Sequence, residues 1–125
     1  MFGKVPVSTF MLSRSAVNAV GTDKLRFRVP FACQIRAVTV AVDATSSGAS
    51  QIFDVNKNGT TLFTTQANRP TVAAAAVSAS VALPNVTTLA AGDVITVDID
   101  QVGSGTAGTG FTIALSVLPT ARGYY

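Results

Sequence analysis

The sequence predicts an all-β fold, an antiparallel sandwich of short strands, and three observations predict it. Asn58-Gly59 stands between two strand-like runs, Ile52-Phe53-Asp54-Val55 and Thr60-Thr61-Leu62-Phe63. Asn-Gly is the strongest short-range hairpin signal, because both residues accept positive φ at little steric cost. Apolar residues fall at every second position in Ile95, Val97, Ile99 and again in Phe111, Ile113, Leu115, Val117, the period of a half-buried strand. Gly, Pro, Asn and Ser punctuate the chain at short intervals, the spacing of sandwiches and barrels.

Along the chain, residues 1–23 are the least regular. Val5, Val7, Phe10, Met11 and Leu12 are apolar without a firm period, and Pro6 argues against a helix interior. They read as an extended N-terminal arm or an edge strand, ending at Gly21-Thr22-Asp23. From residue 24 the alternation is strict: Leu25, Phe27 and Val29 face one way, Lys24, Arg26 and Arg28 the other, until Pro30 stops the strand. Residues 34–42 are apolar on both faces, with Ile35 opposite Val38, Val40 and Val42, and read as a central strand covered on both sides. Residues 45–50 form a loop, 51–65 the hairpin, and Asn68-Arg69-Pro70 a turn.

Residues 72–83 are Ala-rich, and Ala has the best helix propensity. Yet Val77, Ala79, Val81 and Leu83 alternate with Ser78, Ser80 and Ala82, so 77–83 reads as a strand and 72–76 is left unassigned. Leu89 to Asp93 turns into the strand 94–101. Gly103 to Gly110, with four glycines, is a flexible loop before the last strand, which Pro119 closes. The boundaries are therefore an arm or edge strand at 1–23, a domain at 24–118 and a tail at 119–125. About eight strands in two sheets make a jelly roll. An immunoglobulin-like sandwich lacks its Trp and second Cys here.

Composition narrows function. The 125 residues suffice for one domain with a moderate core. Only 12% are charged, against about 25% in an average soluble domain, which suggests that much of the surface touches other protein. The chain has no His, no Glu and no Trp. General acid–base catalysis most often uses His or a tuned Glu, so the expectation is no enzyme and no cofactor. Cys33 is the single cysteine, which excludes an intrachain disulfide and reads as a small core residue. Arg14 and the Ser/Thr residues interrupt any secretory h-region. The aliphatic run Val72 to Val77 is too short to span a bilayer, so no membrane is expected. Asn58-Gly59-Thr60 and Asn85-Val86-Thr87 read as turn chemistry rather than glycosylation.

The charges are unevenly placed. Residues 1–36 carry a net +5 and the remainder a net −2. Lys4, Arg14, Lys24, Arg26 and Arg28 are the candidate partner contacts. Lys24, Arg26 and Arg28 make a basic stripe about 13 Å long at strand rise. A nucleic-acid surface would interleave exposed aromatics, whereas Phe27 points to the other face, so an acidic protein surface is the expected partner. The alternative role of the stripe is protection of a strand edge. Asp98 and Asp100 project from one face. With Asp54 and Asp93 they would offer four carboxylates to Ca²⁺, but no calcium-loop spacing is present, and they are expected to meet water or a neighbour. The glycine loop lacks the Lys-Ser/Thr ending and the helix of a phosphate cradle.

Three segments carry a resemblance: Phe53-Asp54-Val55-Asn56-Lys57-Asn58-Gly59-Thr60, then Leu89 to Gly103, then Phe111 to Leu118. They resemble small jelly-roll modules of tailed-phage virions, both head decoration (cement) proteins and tail or fibre modules, of the C1q/TNF-like kind. The resemblance covers residues 24–118. The chain departs from true C1q domains in its low aromatic content, which favours the phage group. It implies a virion structural protein on the phage head surface, made in the host cytoplasm. Its partner would be the major capsid protein, its state a homotrimer, and its effect the clamping of neighbouring capsid subunits. A tail or fibre module that binds host carbohydrate is the alternative. Sugar sites usually offer aromatic platforms, and this chain has nine aromatics, several of them on predicted core faces. Tyr124-Tyr125 is the one adjacent aromatic pair outside those faces. On this reading the basic arm docks, and deleting residues 1–20 leaves a folded domain that no longer binds its particle.

Overall fold

The computed structural model describes residues 7–120. Among these residues ten strands form two sheets: β1 (Ser8–Val17), β2 (Gly21–Arg28), β3 (Cys33–Ala41), β4 (Gln51–Lys57), β5 (Thr60–Thr61), β6 (Thr71–Val72), β7 (Ser78–Val81), β8 (Thr88–Leu89), β9 (Val94–Gln101) and β10 (Thr109–Pro119). The first sheet runs β1-β10-β3-β7, with β8 also beside β3; the second runs β2-β9-β4-β5, with β6 also beside β4. All pairings are antiparallel.

The pairings nest. β1 joins β10, β2 joins β9, β3 joins β7 and β8, and β4 joins β5 and β6. The chain thus folds back on itself as one long ribbon, whose arms alternate between the sheets. At its innermost point lies Asn58-Gly59, with φ of 51° and 86°. Both values are left-handed, as a two-residue hairpin of the favoured twist requires.

Between the sheets lies one core. Phe10 and Leu12, Ile35, Val38 and Val40, Phe53 and Val55, Ile95, Val97 and Ile99, and Phe111, Ile113, Leu115 and Val117 are all buried in it. Phe53 of β4 and Phe111 of β10 meet across the layers with ring centroids 5.2 Å apart. Phe10 holds one side of the sandwich against Phe27 and Phe31, at 4.9 and 5.7 Å. Cys33 is fully buried, as a small core residue should be, and burial together with Asp93 pushes its thiol pKa up.

One alternative is settled and four expectations change. Of the two readings of the N-terminal segment, the edge strand holds for residues 8–17: β1 is in register with β10 from Ser8↔Val117 to Arg14↔Phe111. In β3, the register passes from Ala37↔Ser116 to Ile35↔Val117. Arg36 is therefore the extra residue of a bulge, which returns Ile35 to the same face as Val38. That strand is central in hydrogen bonding but not covered on both sides, since Arg36, Ala37 and Thr39 are exposed. The strand predicted at 77–83 is shorter, and Val77 and Leu83 flank it exposed. The glycine loop is tied down: the Ser47 N–H donates to Thr106 O at 3.0 Å and the Thr106 N–H to Ser47 Oγ at 2.7 Å. Gly103 has no room for a side chain there, because a Cβ would run into the Thr106 carbonyl. Pro119, placed in the tail by the sequence, ends β10 opposite Cys33.

Candidate functional site: a polar groove on the second sheet

Residues that alternate with the core of the second sheet face outward: Asn56 on β4, Thr96, Asp98 and Asp100 on β9, and Arg26 and Arg28 on β2. Over them lies a groove of about 470 Å³, lined by Thr22, Asp23, Arg26, Asn56, Asn58, Gly59, Val94, Thr96 and Asp98. Small-molecule pockets commonly measure ~300–1,000 Å³.

One wall is a bulge. The β2–β9 register goes from Gly21↔Ile99 to Leu25↔Val97, so Thr22, Asp23 and Lys24 stand against Asp98 alone. Bulges of this kind re-aim side chains. Asp23 has φ of 53°, a left-handed conformation that Asp accepts more readily than most residues. Its N–H donates to Asp98 Oδ1 at 2.8 Å, and its Oδ2 accepts from Arg26 at 2.6 Å. On the floor, the Asn56 amide donates to Asp98 Oδ2 at 2.9 Å.

The other wall is the Asn58-Gly59 turn. Asn58 donates to Asp93 Oδ1 and accepts from the Val94 N–H, each at 2.9 Å. Asp93 Oδ2 also accepts the Ala90 N–H at 2.8 Å. That backbone bond, then the Asn58 amide, holds the Asp93 carboxyl below the usual carboxylate range. The hairpin and the Leu89–Asp93 turn, far apart in sequence, are thereby joined beside the groove.

The basic candidates do not form one patch. Lys24, Arg26 and Arg28 lie together on β2, with Arg26 paired to Asp23 and Lys24 folded over Gly21. Arg14 stands on the other sheet, on the same side of β1 as Phe10 and Leu12. Lys4, Tyr124 and Tyr125 lie outside the described residues. Asp100 pairs with Arg69 at 2.7 Å. Among the described residues no three His, Cys, Asp or Glu side chains are grouped to hold a metal ion. The sequence pointed to Arg26 and Asp98 separately. It did not point to Thr22, Asp23, Asn56 or Thr96, which the bulge and the strand register bring to them.

Asp54, beside the groove, is buried and lies opposite Asp98 across β4–β9. Burial raises its pKa above the usual value; the Thr61 hydroxyl, donating at 2.6 Å, opposes this, and Asp100 adds to it. The folded state therefore binds this proton more tightly than the unfolded chain. Its favourable contribution is full below the unfolded pKa, about 3.9, and is lost as pH rises through the folded value. Asp54→Asn should accordingly stabilise the domain at pH 7, by up to about 1 kcal/mol, chiefly by removing a buried carboxylate charge and secondarily its repulsion from Asp100. The gain should vanish below about pH 4. Melting temperatures of both proteins between about pH 3 and pH 8 check this, and a pH-independent difference would refute it.

Neither a protein-family model, nor a curated protein, nor a solved structure matches the chain.

Proposed function

We propose that the chain is a structural protein of a phage virion, a capsid decoration subunit that binds the outer capsid surface as a homotrimer and stabilises the head. One observation carries this reading, the outer face of the first sheet. Its cross-strand rows are Thr9–Ser116–Ala37, Met11–Ala114–Thr39–Ser80 and Ser13–Thr112–Ala41–Ser78. No charged side chain stands in these three rows; Arg36, the bulge residue of β3, is exposed beside Ala37 at one end of them. An antiparallel sheet with one solvated face ordinarily turns polar and charged residues to water, and interface cores are depleted of charge. Met11, 61% exposed, is an apolar anchor at the edge of these rows. A second copy covers these rows without burying an ion when Arg36 is left at the rim of the contact.

The nested pairing supports a jelly roll, whose two sheets and eight strands derive from one rolled ribbon. The basic residues of β2 lie on the opposite sheet; Arg26 is paired to Asp23, and Arg28 is exposed toward an acidic capsid surface.

Light scattering at micromolar concentration should give three times the 12.8 kDa chain mass. Met11→Asp should shift the protein to monomer with unchanged circular dichroism, because it places a carboxylate in the buried face. A monomeric wild-type protein refutes the homotrimer. Co-sedimentation with emptied capsids of the phage that carries the sequence tests the docking. Binding to host cells with none to capsids would replace the decoration reading with the tail or fibre one.

A further inference from the structure

We propose that the groove on the second sheet is a binding site for a neutral, polyhydroxylated ligand, a saccharide. The proposal does not rest on the virion reading.

The groove is built rather than incidental. A bulge of β2, a left-handed Asp23 and the Asp98 carboxylate that holds its N–H make one wall. The Asn58 turn, bonded to Asp93 and Val94, makes the other. Bulges and sparsely populated backbone conformations concentrate beside binding sites.

What the walls leave unused defines the ligand. Among the described residues, Asp23 Oδ1, the Nε and second terminal nitrogen of Arg26, and the hydroxyls of Thr22 and Thr96 bond to no protein group. Acceptor, donors and hydroxyls thus line one opening, the pattern that neighbouring sugar hydroxyls, each donor and acceptor at once, complement. Charge excludes the other classes. An anion meets Asp23 and Asp98. A cation meets Arg26, and finds both oxygens of Asp98 already accepting from Asp23 and Asn56. Val94 and Gly59 supply a small apolar surface for a ring face. Among the described residues no aromatic side chain lines the groove, so the expected affinity is weak, with Kd on the order of 1 mM for a single sugar.

The test is an amide-resolved NMR titration of the full chain with the methyl glycosides of mannose, glucose, galactose and N-acetylglucosamine, each to about 50 mM, well above that Kd. Inorganic phosphate and guanidinium serve as charged controls. At least one glycoside should shift the amides of Asp23, Gly59, Thr96 and Asp98 while leaving the first sheet unmoved. Arg26→Ala should weaken that binding about tenfold and Thr96→Val about threefold, the losses expected for a charged and a neutral hydrogen bond. Thr96→Val removes no internal hydrogen bond and Arg26→Ala only an exposed ion pair, so both should fold. No shift with any glycoside, stronger response to phosphate or guanidinium, or unchanged affinity in both variants would each overturn the proposal.

Discussion

Phe53→Ala should lower the stability of the domain by about 3–5 kcal/mol, the usual cost of removing a buried aromatic ring. Phe53 is fully buried on β4, with Val55 beside it on the same strand and Ile99 opposite it on β9. Its N–H is held by the Pro70 carbonyl at 2.9 Å, so the strand cannot readily slide to refill the space. Across the core its ring meets Phe111 at 5.2 Å and 49°, a tilted pair. Such pairs contribute roughly 0.5–1.5 kcal/mol beyond their buried area. Against a total of about 5–15 kcal/mol, the loss takes a large share of what holds the two sheets together. Phe53→Leu keeps most of the volume and should cost about 1.5 kcal/mol or less. The double variant with Phe111→Ala should cost less than the two single losses added, because their mutual contact is counted in both. Urea midpoints at constant slope measure all of this. A loss below about 1 kcal/mol for Phe53→Ala would show that the rings do not hold the layers.

What could be read from the sequence was local. Asn58-Gly59 signals its turn by itself, and the alternation of Ile95, Val97, Ile99 needs no knowledge of a partner. Both are found as expected. Bulges are different, because an extra residue is defined only against the strand beside it. Arg36 and the Thr22–Lys24 segment look like ordinary strand positions until β10 and β9 supply the register. The groove was hidden for the same reason, since its residues come from three strands and two turns. The buried amide pair also escaped notice: Asn18, 2% exposed, donates to Gln51 Oε1 at 2.7 Å and to Gly110 O at 2.9 Å. Asn18 lies in the irregular segment 1–23 and Gln51 at the start of the hairpin, and neither position carries a periodic signal of burial. In β1, Phe10 and Leu12 point inward and Met11 outward. Three consecutive apolar residues erase the period of two, so the sequence leaves arm and edge strand undistinguished. The missing alternation itself marks an apolar residue on an outer face.

Deleting residues 1–20 should abolish the folded state, the opposite of what a dispensable arm would give. Phe10 and Leu12 leave the core with β1, and each such loss costs on the order of 2–5 kcal/mol. Their sum is comparable with the whole stability of a small domain, about 5–15 kcal/mol. The ladder from Ser8↔Val117 to Arg14↔Phe111 goes too. It leaves β10 as a long unpaired edge, the feature that most readily pairs with another chain. Asn18 is also lost, so Gln51, fully buried, keeps an acceptor with no donor, a cost of about 1–3 kcal/mol. The truncated protein should therefore show collapsed amide dispersion, bind a hydrophobic dye and aggregate. A peptide of residues 7–20 added in trans should restore dispersion by supplying the missing strand, as in β-strand addition. A cooperative transition within about 1 kcal/mol of the intact chain would show that β1 is dispensable, and would return residues 1–20 to a docking role.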